Sequence, residues 1–266
     1  MRRKETSMPT HLTVKGVVLR ETPVGEADKL FDLMTENGIL TVRARSVRKA
    51  GSKYAAVTQS FSCGEFCLRV SGERYYLDSA VPIELFYGLR TDLNALALAA
   101  YFSEVIRKTA TQQSQPQLLR LFFMSLQHLS QQDRPAELVK AVFELRLATV
   151  LGMAPNLICC GVCMEYLPEQ IVLRICDADF VCADCYIPRP APEGTEEPVL
   201  RGSRAVLQAA RHIVFSEDNR LFQFRLGGRS LHILAEYAEQ YLLHRLEMYF
   251  PTLKFYRGLL MPEAPA

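Results

Sequence analysis

The sequence predicts a multidomain α+β protein, in which an N-terminal OB-fold β-barrel is followed by an α-helical domain with an inserted zinc module. Residues 11 to about 80 form short β-branched runs separated by turns. Apolar residues then recur at helical spacing from Asp92 onward, and two Cys-x-x-Cys pairs lie between residues 160 and 185. The expected domains are 1–85 for the barrel, 86–260 for the helical domain with the zinc module at 157–187, and 261–266 for a tail.

Five short strands account for the first domain. The predicted strands cover residues 11–20, 30–35, 39–45, 61–70 and 74–80. Asn37-Gly38 between two apolar runs is a strong hairpin signal, and Pro23 and Gly25 indicate a turn over residues 21–28. Five strands in some 70 residues fit a small closed barrel, for which the OB fold is the natural candidate.

Five helices account for most of the remainder. The first is predicted from Leu93 to about Val105 with Thr91 or Asp92 as its cap, and the others over residues 117–129, 135–150, 203–215 and 230–249. Pro135 suits a first helical position, and Ser203 and Ser230 suit N-caps. A linker rich in Pro and Glu, residues 188–198, separates the zinc module from the last two helices.

Four cysteines have the spacing of a structural zinc site. Cys160, Cys163, Cys182 and Cys185 form two Cys-x-x-Cys pairs with 18 residues between them. The span 167–180 can fold back as a hairpin and bring the pairs together. Four thiolates complete a tetrahedral Zn²⁺ shell, which leaves no position for a substrate. A redox pair fits less well because the first pair opens no obvious helix, and a site that has lost its metal is the main alternative.

The other four cysteines are not expected to bind the metal. Cys159 would replace Cys160 only with a less common three-residue spacing, and Cys176 lies inside the hairpin span. Cys63 and Cys67 flank a strand-like run and are expected to be small core or surface residues.

A run of cations follows the predicted hairpin. No acidic residue occurs between Asn37 and Gly64, and we call residues 45–53 within this stretch the basic loop. The candidate nucleic-acid-binding residues are Arg43, Arg45, Arg48, Lys49, Lys53 and Tyr54. Such a cluster can neutralise phosphates, and neighbouring aromatic rings can stack on bases. On the residues alone, a solvated cation-rich loop is an equally good interpretation.

The sequence carries no common enzyme signature. It has no phosphate-binding loop, dinucleotide fingerprint, His-Glu-x-x-His or Gly-x-Ser-x-Gly motif. Glu26 and Asp28 are expected to make turn hydrogen bonds rather than form a catalytic pair. The net charge is only +2, and neither a signal peptide nor a transmembrane run is recognised. We therefore expect a cytoplasmic, nucleoid-associated protein that is not an enzyme and does not bind membranes.

Several segments, in their order along the chain, resemble the RecO family of bacterial recombination mediators and DNA repair proteins. They are residues 17–28 (VVLRETPVGEAD), 35–40 (TENGIL), 45–53 (RSVRKAGSK), 59–61 (QSF) and 143–155 (FELRLATVLGMAP). The likeness covers roughly residues 11–250. Two positions depart from the family pattern, since Ser46 stands where the family has glycine and Arg45 where it has lysine.

The resemblance implies a function in DNA repair. Such proteins bind single- and double-stranded DNA and anneal complementary strands. They engage the single-strand-binding protein, pair with RecR and help RecA load onto coated strands. Carried over by position, the basic residues above would contact DNA, and Zn²⁺ would be structural. A zinc-ribbon adaptor in transcription or RNA metabolism is the alternative.

Overall fold

The computed structural model describes residues 10–110, 116–189 and 198–260. These residues fall into two compact units. One contains the described residues up to Ser130 and from Phe255 on, and the other contains Gln131–Lys254. The strands and helices of the first unit are β1 (Thr10–Val24), β2 (Asp28–Thr35), β3 (Gly38–Ala44), β4 (Cys63–Ser71), β5 (Arg74–Glu84), α1 (Leu93–Thr109) and most of α2 (Pro116–Gln131). No helix of the described part is long and apolar enough to cross a bilayer.

The five strands close into a barrel with the order β1-β2-β3-β5-β4. The long strand β1 closes the barrel, because its first half pairs with β4 and its second half with β2. Strands β3 and β5 are parallel, and every other pair is antiparallel. The barrel core consists of inward-facing residues, among them Val18, Phe31, Leu33, Val42, Phe66 and Leu68.

The predicted strands are correct in number, and β1, β2 and β5 are longer than the sequence indicated. β1 runs on to Val24, so the turn expected over residues 21–28 shrinks to residues 25–27. Gly25 adopts the left-handed φ of +59° in that turn. The extra length has a geometric reason, since closure of a barrel requires one strand to reach two neighbours in staggered register.

Helix α1 begins where the sequence indicates and packs on the barrel. The Asp92 carboxylate caps it by accepting hydrogen bonds from the backbone N–H groups of Asn94 and Ala95. The buried Ser103 hydroxyl donates to the carbonyl of Leu19 in β1 at 2.8 Å. This buried hydrogen bond fixes α1 against β1.

The second unit combines three helices with a small sheet. Its elements are α3 (Ala136–Val150), β6 (Gln170–Arg174), β7 (Asp179–Cys182), β8 (Val199–Ser203), α4 (Arg204–Phe215) and α5 (Gly228–Leu246). The helix α6 (Pro251–Leu260) begins at the end of this unit. α3 packs mainly on α5, and buried Lys140 of α3 makes ion pairs with Glu144 and Glu239. The sheet has the order β7-β6-β8.

Several helix ends and caps differ from the sequence prediction. Pro135 is the N-cap of α3 rather than its first residue. Ser203 does precede α4, but its side chain makes no capping hydrogen bond. The Ser230 N-cap is wrong, because α5 begins at Gly228 with Gly227 as its N-cap. α5 also ends early, at Leu246, since Glu247 turns to a left-handed φ of 50° before Pro251 begins α6.

Candidate nucleic-acid interface and metal centre

The start of the basic loop is held by one carboxylate. Asp28 accepts two hydrogen bonds from the Arg43 guanidinium, at 3.1 and 2.8 Å. Its other oxygen accepts the backbone N–H of Ser46 at 2.9 Å. The Ser46 hydrogen bond and then the Arg43 hydrogen bond lower the pKa of the Asp28 carboxyl group. Asp28 therefore joins the beginning of β2, the end of β3 and the basic loop at one end of the barrel.

Arg48 fixes the middle of the loop. Its guanidinium donates to the carbonyl of Gly25, and its backbone N–H donates to the carbonyl of Ala27, both at 2.9 Å. The neighbouring Val47 is buried in the barrel core. Val47 anchors the basic loop in the barrel core, and Arg48 bonds it to the β1–β2 turn. The loop is therefore held against this turn. Lys49 and Lys53 remain exposed beside it.

Aromatic rings accompany the cations. Arg45 lies 5.1 Å from the ring centroid of Tyr76, and Arg69 lies 4.8 Å from the same ring. Lys53 lies 4.9 Å from the ring of Tyr54. All three distances are in the range of cation–π contact. Tyr54 is half-buried and packs against the barrel core, so Tyr76 is the ring more closely surrounded by guanidinium groups.

Of the candidate residues, only Arg43 lies in a strand, and the others lie in the basic loop or directly after it. Arg43 pairs with Tyr76 across the parallel β3–β5 ladder, and Arg45 follows the end of β3. The strand predicted over residues 39–45 includes Arg45, but β3 ends at Ala44, so Arg45 belongs to the basic loop. Tyr76 is one of the aromatic residues that follow the basic loop in the sequence, but the sequence does not place it against Arg45, and it gives no sign of Arg69, because strand register cannot be read from one strand alone.

The four paired cysteines come together in the second unit. The sulfur atoms of Cys160, Cys163, Cys182 and Cys185 all lie within 4.8 Å of one another. A tetrahedral Zn²⁺ with Zn–S bonds of about 2.3 Å places its sulfur ligands about 3.8 Å apart. The donor set and the spacing therefore fit a closed structural metal centre, which would supply folding energy and no reactive position.

The local structure explains how the two pairs meet. The first pair lies in the loop that follows α3. The second lies at the end of β7 and in the single 3₁₀ turn Ala183–Cys185. The β6–β7 hairpin carries the second pair back to the first, as the sequence indicated. Gly161 donates its N–H to the Phe180 carbonyl at 3.0 Å and ties the first loop to the hairpin.

Backbone N–H groups single out the Cys160 sulfur. It accepts hydrogen bonds from Cys182 at 3.2 Å and Val162 at 3.5 Å. Burial acts to raise its pKa, but the N–H groups of Cys163, Cys182 and Val162 outweigh burial and lower the pKa to about 6. In the metal-free chain, burial and then hydrogen bonding to Cys163 raise the pKa of Cys182. Hydrogen bonding to Cys163 and then burial raise the pKa of Cys185 to about 11.

Two arginines stabilise the loop that carries Cys160 and Cys163, which we call the metal loop. Arg174 binds Asp179 through two hydrogen bonds of 2.8 and 2.5 Å, directly behind Gly161. Buried Arg211 of α4 donates to the carbonyls of Leu157, Ile158 and Tyr166 at 2.6 to 2.7 Å. These carbonyls lie on both sides of the first cysteine pair, so α4 holds the loop at its two ends. Sequence reasoning did not find either arginine, because a lone basic residue carries no spacing signal.

The fold and the site define a class of protein: a closed five-stranded barrel with a cation-rich end, joined to a helical unit that contains a four-thiolate centre. Comparison with known proteins identifies the family. Residues 8–86 match the family model described as Recombination protein O N terminal, and residues 90–254 match Recombination protein O C terminal. The chain belongs to the RecO family.

Individual relatives agree with the family models. The DNA repair protein RecO of Acetivibrio thermocellus is 29% identical over 251 residues, which cover 94% of this chain and 97% of that protein. The DNA repair protein RecO of Bacillus pumilus is 33% identical over 178 residues, or 66% and 69% of the two chains. That of Bacillus subtilis is 29% identical over 174 residues, or 65% and 68%. Membership of this family supports a role in DNA repair.

Proposed function

We propose that this chain is a DNA-binding recombination mediator whose barrel is of the OB type. The strand order β1-β2-β3-β5-β4, with β3 and β5 parallel, supports the OB assignment. Nucleic acid would bind through Arg43, Arg45, Arg48, Lys49, Lys53 and Tyr54. The observation that carries the proposal is the attachment of the basic loop to one end of the barrel by Asp28 and Arg48.

The attachment of the basic loop to the barrel matters because ordered cations bind the DNA backbone at a lower entropic cost than mobile cations do. Each phosphate that the loop neutralises releases condensed counterions, which makes the affinity depend on salt. This binding is independent of sequence. A mediator that anneals strands needs this property, because it must accept any pair of complementary strands and makes or breaks no covalent bond.

The metal centre has a structural role in this proposal. Four thiolates would hold Zn²⁺ without an open coordination position, and the metal would stabilise the second unit. The helical part would dock protein partners. Following the family, these are RecR and the single-strand-binding protein, and the outcome of their assembly is RecA loading on coated single strands.

Strand annealing tests the proposed function. Complementary oligonucleotides are covered with single-strand-binding protein, and duplex formation is followed with and without the purified chain. We expect the chain to accelerate annealing several-fold and to bind single-stranded DNA in a gel-shift assay. Binding to structured RNA in preference to DNA, without acceleration of annealing, would instead identify a zinc-ribbon adaptor.

A further inference from the structure

The four cysteines of the metal centre differ in their exposure to solvent. Cys160 and Cys182 are buried, Cys185 is half-buried, and Cys163 is exposed. A thiolate reacts with an oxidant more readily the more accessible it is. A dissolved oxidant therefore reaches the sulfur of Cys163 before it reaches the other three.

The buried sulfur of Cys182 lies against the exposed sulfur of Cys163. The two Sγ atoms are 3.5 Å apart. They belong to different segments of the second unit, because Cys163 lies in the metal loop and Cys182 is the last residue of β7. A cysteine that is oxidised beside a second cysteine forms a disulfide with it. Cys182 is therefore placed to react with an oxidised Cys163.

The sulfur of Cys160 is held in a different way. It accepts backbone N–H groups from Val162 at 3.5 Å and from Cys182 at 3.2 Å. These hydrogen bonds fix the Cys160 sulfur in the buried part of the metal loop. Although Cys160 and Cys163 form one Cys-x-x-Cys pair, we expect a disulfide to join the two segments rather than to form within this pair.

Hydrogen bonds that do not involve a metal keep the two segments together. Gly161 of the metal loop donates its backbone N–H to the carbonyl of Phe180 in β7 at 3.0 Å. Arg211 of α4 donates to backbone carbonyls on both sides of the first cysteine pair. These contacts should persist when the metal leaves, so Cys163 stays within reach of Cys182.

We propose that Cys163 is an oxidation site and that Cys182 is its resolving cysteine, so that peroxide converts the metal centre into a disulfide between the metal loop and β7. This inference rests on the four-thiolate centre of the proposed function and adds a modification to it. The cofactor is not the target of the oxidant, since Zn²⁺ has no redox chemistry. The electrons come from the two sulfur atoms.

The reaction has two steps. The thiolate of Cys163 attacks one oxygen of hydrogen peroxide, the O–O bond breaks, and a sulfenic acid and a hydroxide ion are formed. The thiolate of Cys182 then attacks the oxidised sulfur, the S–O bond breaks, and a disulfide and a second hydroxide ion are formed. The two thiolates lose two electrons in total and the peroxide gains them. Two of the four metal ligands are thereby lost, so Zn²⁺ is released.

The modification should be reversible. The disulfide would include the exposed residue Cys163, whose sulfur is open to attack by a reducing thiol. It would also link two segments whose linked residues are 19 positions apart in the sequence, which keeps the metal loop on the β6–β7 hairpin. Reduction therefore returns both thiolates to a preformed site that can bind Zn²⁺ again.

Zinc release and peptide mapping test the proposal together. The zinc-loaded chain is treated with increasing amounts of hydrogen peroxide, released Zn²⁺ is measured with a chromogenic chelator, and disulfides are mapped by mass spectrometry after the remaining thiols are alkylated. We expect one Zn²⁺ to be released for each disulfide formed, and a linked peptide pair that contains Cys163 and Cys182. Dithiothreitol with added Zn²⁺ should restore the centre. A main product that joins Cys160 to Cys163, or zinc release without a disulfide, would overturn the proposal.

A substitution that retains the metal provides a second test. Cys163→His keeps a zinc ligand in a centre of three cysteines and one histidine but removes the exposed thiolate. It should release zinc under peroxide at least about tenfold more slowly than the unsubstituted chain. Cys176→Ser removes another exposed thiol of the same hairpin and should leave the rate unchanged. Equal rates in Cys163→His and the unsubstituted chain would overturn the proposal. If Cys163→His does not hold zinc, the peptide map of the unsubstituted chain decides.

The same experiments separate this inference from the proposed function. If the purified chain binds no Zn²⁺, the four-thiolate centre is wrong and the oxidation site fails with it. If the chain binds Zn²⁺ but peroxide produces no disulfide between Cys163 and Cys182, the oxidation site alone is wrong. DNA binding by the basic loop is measured without peroxide, so neither result bears on it.

Discussion

The carboxylate of Asp28 accepts the backbone N–H of Ser46 at 2.9 Å, and Ser46 has a left-handed φ of 55°. The chain thus leaves β3 through a conformation that glycine adopts readily and serine does not. Asp28 compensates for this strain by fixing the residue in place.

Ser46→Gly should stabilise the protein. Glycine removes the steric cost of the left-handed conformation, and the greater freedom of the unfolded chain offsets part of the gain. We expect an increase of up to about 1 kcal/mol in the free energy of unfolding of the barrel unit, measured by urea denaturation. Ser46→Ala is the control, because it keeps the Cβ atom. A gain in the alanine variant equal to that in the glycine variant would contradict this explanation.

Asp28→Ala should loosen the basic loop in a pH-dependent way. Native contacts lower the pKa of Asp28 below its ordinary 3.8, so its stabilising effect is complete above that value. The effect is lost as the pH falls through the lower native pKa. The unsubstituted chain should therefore exceed Asp28→Ala in stability at pH 5 to 7, and the difference should shrink below about pH 4. A difference that grew on acidification would exclude this role for Asp28.

Gly161→Ala should disturb the metal loop. A Cβ atom there would lie 2.7 Å from an oxygen of Asp179, which is held by Arg174. We expect a loss of about 1–3 kcal/mol in unfolding free energy and weaker metal retention against a chelator. Gly258→Ala in α6 is the control, since a Cβ atom at Gly258 meets nothing within 4 Å and Gly258 is not a cap residue. Similar behaviour of the two variants would contradict the close packing described for Gly161.

Metal content should depend on four cysteines and not on their neighbours. The purified chain is expected to hold one Zn²⁺. Cys163→Ser or Cys182→Ser should abolish Zn²⁺ binding and lower the melting temperature. Cys176→Ser, in an exposed residue of the same hairpin, should retain the metal. Full metal content in the Cys163 and Cys182 variants would contradict the four-thiolate centre.

The same centre should bind metal with release of protons. The raised pKa values of Cys182 and Cys185 keep these thiols protonated at neutral pH in the metal-free chain. Because the metal must displace these protons, its affinity should increase with pH between about 6 and 9. Calorimetric titration in buffers of different ionisation enthalpy measures the number released.

The sequence predicted the metal centre better than the interface. Cysteine ligands repeat at a fixed spacing within a short span, so their meeting requires only one local hairpin. The cluster around Tyr76 requires residues 43, 45, 69 and 76 to meet. Their meeting depends on barrel closure and on a parallel register between β3 and β5, which no local pattern encodes.

The errors at the helix ends also have a local cause. Ser230 is a strong N-cap residue, and the preceding Gly227-Gly228 suggests a loop. In the structure the helix begins at Gly228, with the cap at an extended Gly227, because glycine is itself an acceptable N-cap.

The strand β8 was missed for another reason. Its five residues pair with β6 across a long sequence separation, and directly precede a helix that dominates the local pattern.

The salt dependence of DNA binding tests the central claim most directly. The claim is that the basic loop, fixed on the barrel end by Asp28 and Arg48, binds the DNA backbone. In the variant with Lys49→Gln and Lys53→Gln, the slope of log K against log salt for single strands should become less steep by about 1.4, while Lys15→Gln keeps the original slope. An unchanged slope in the double variant, with unchanged affinity, would contradict the account.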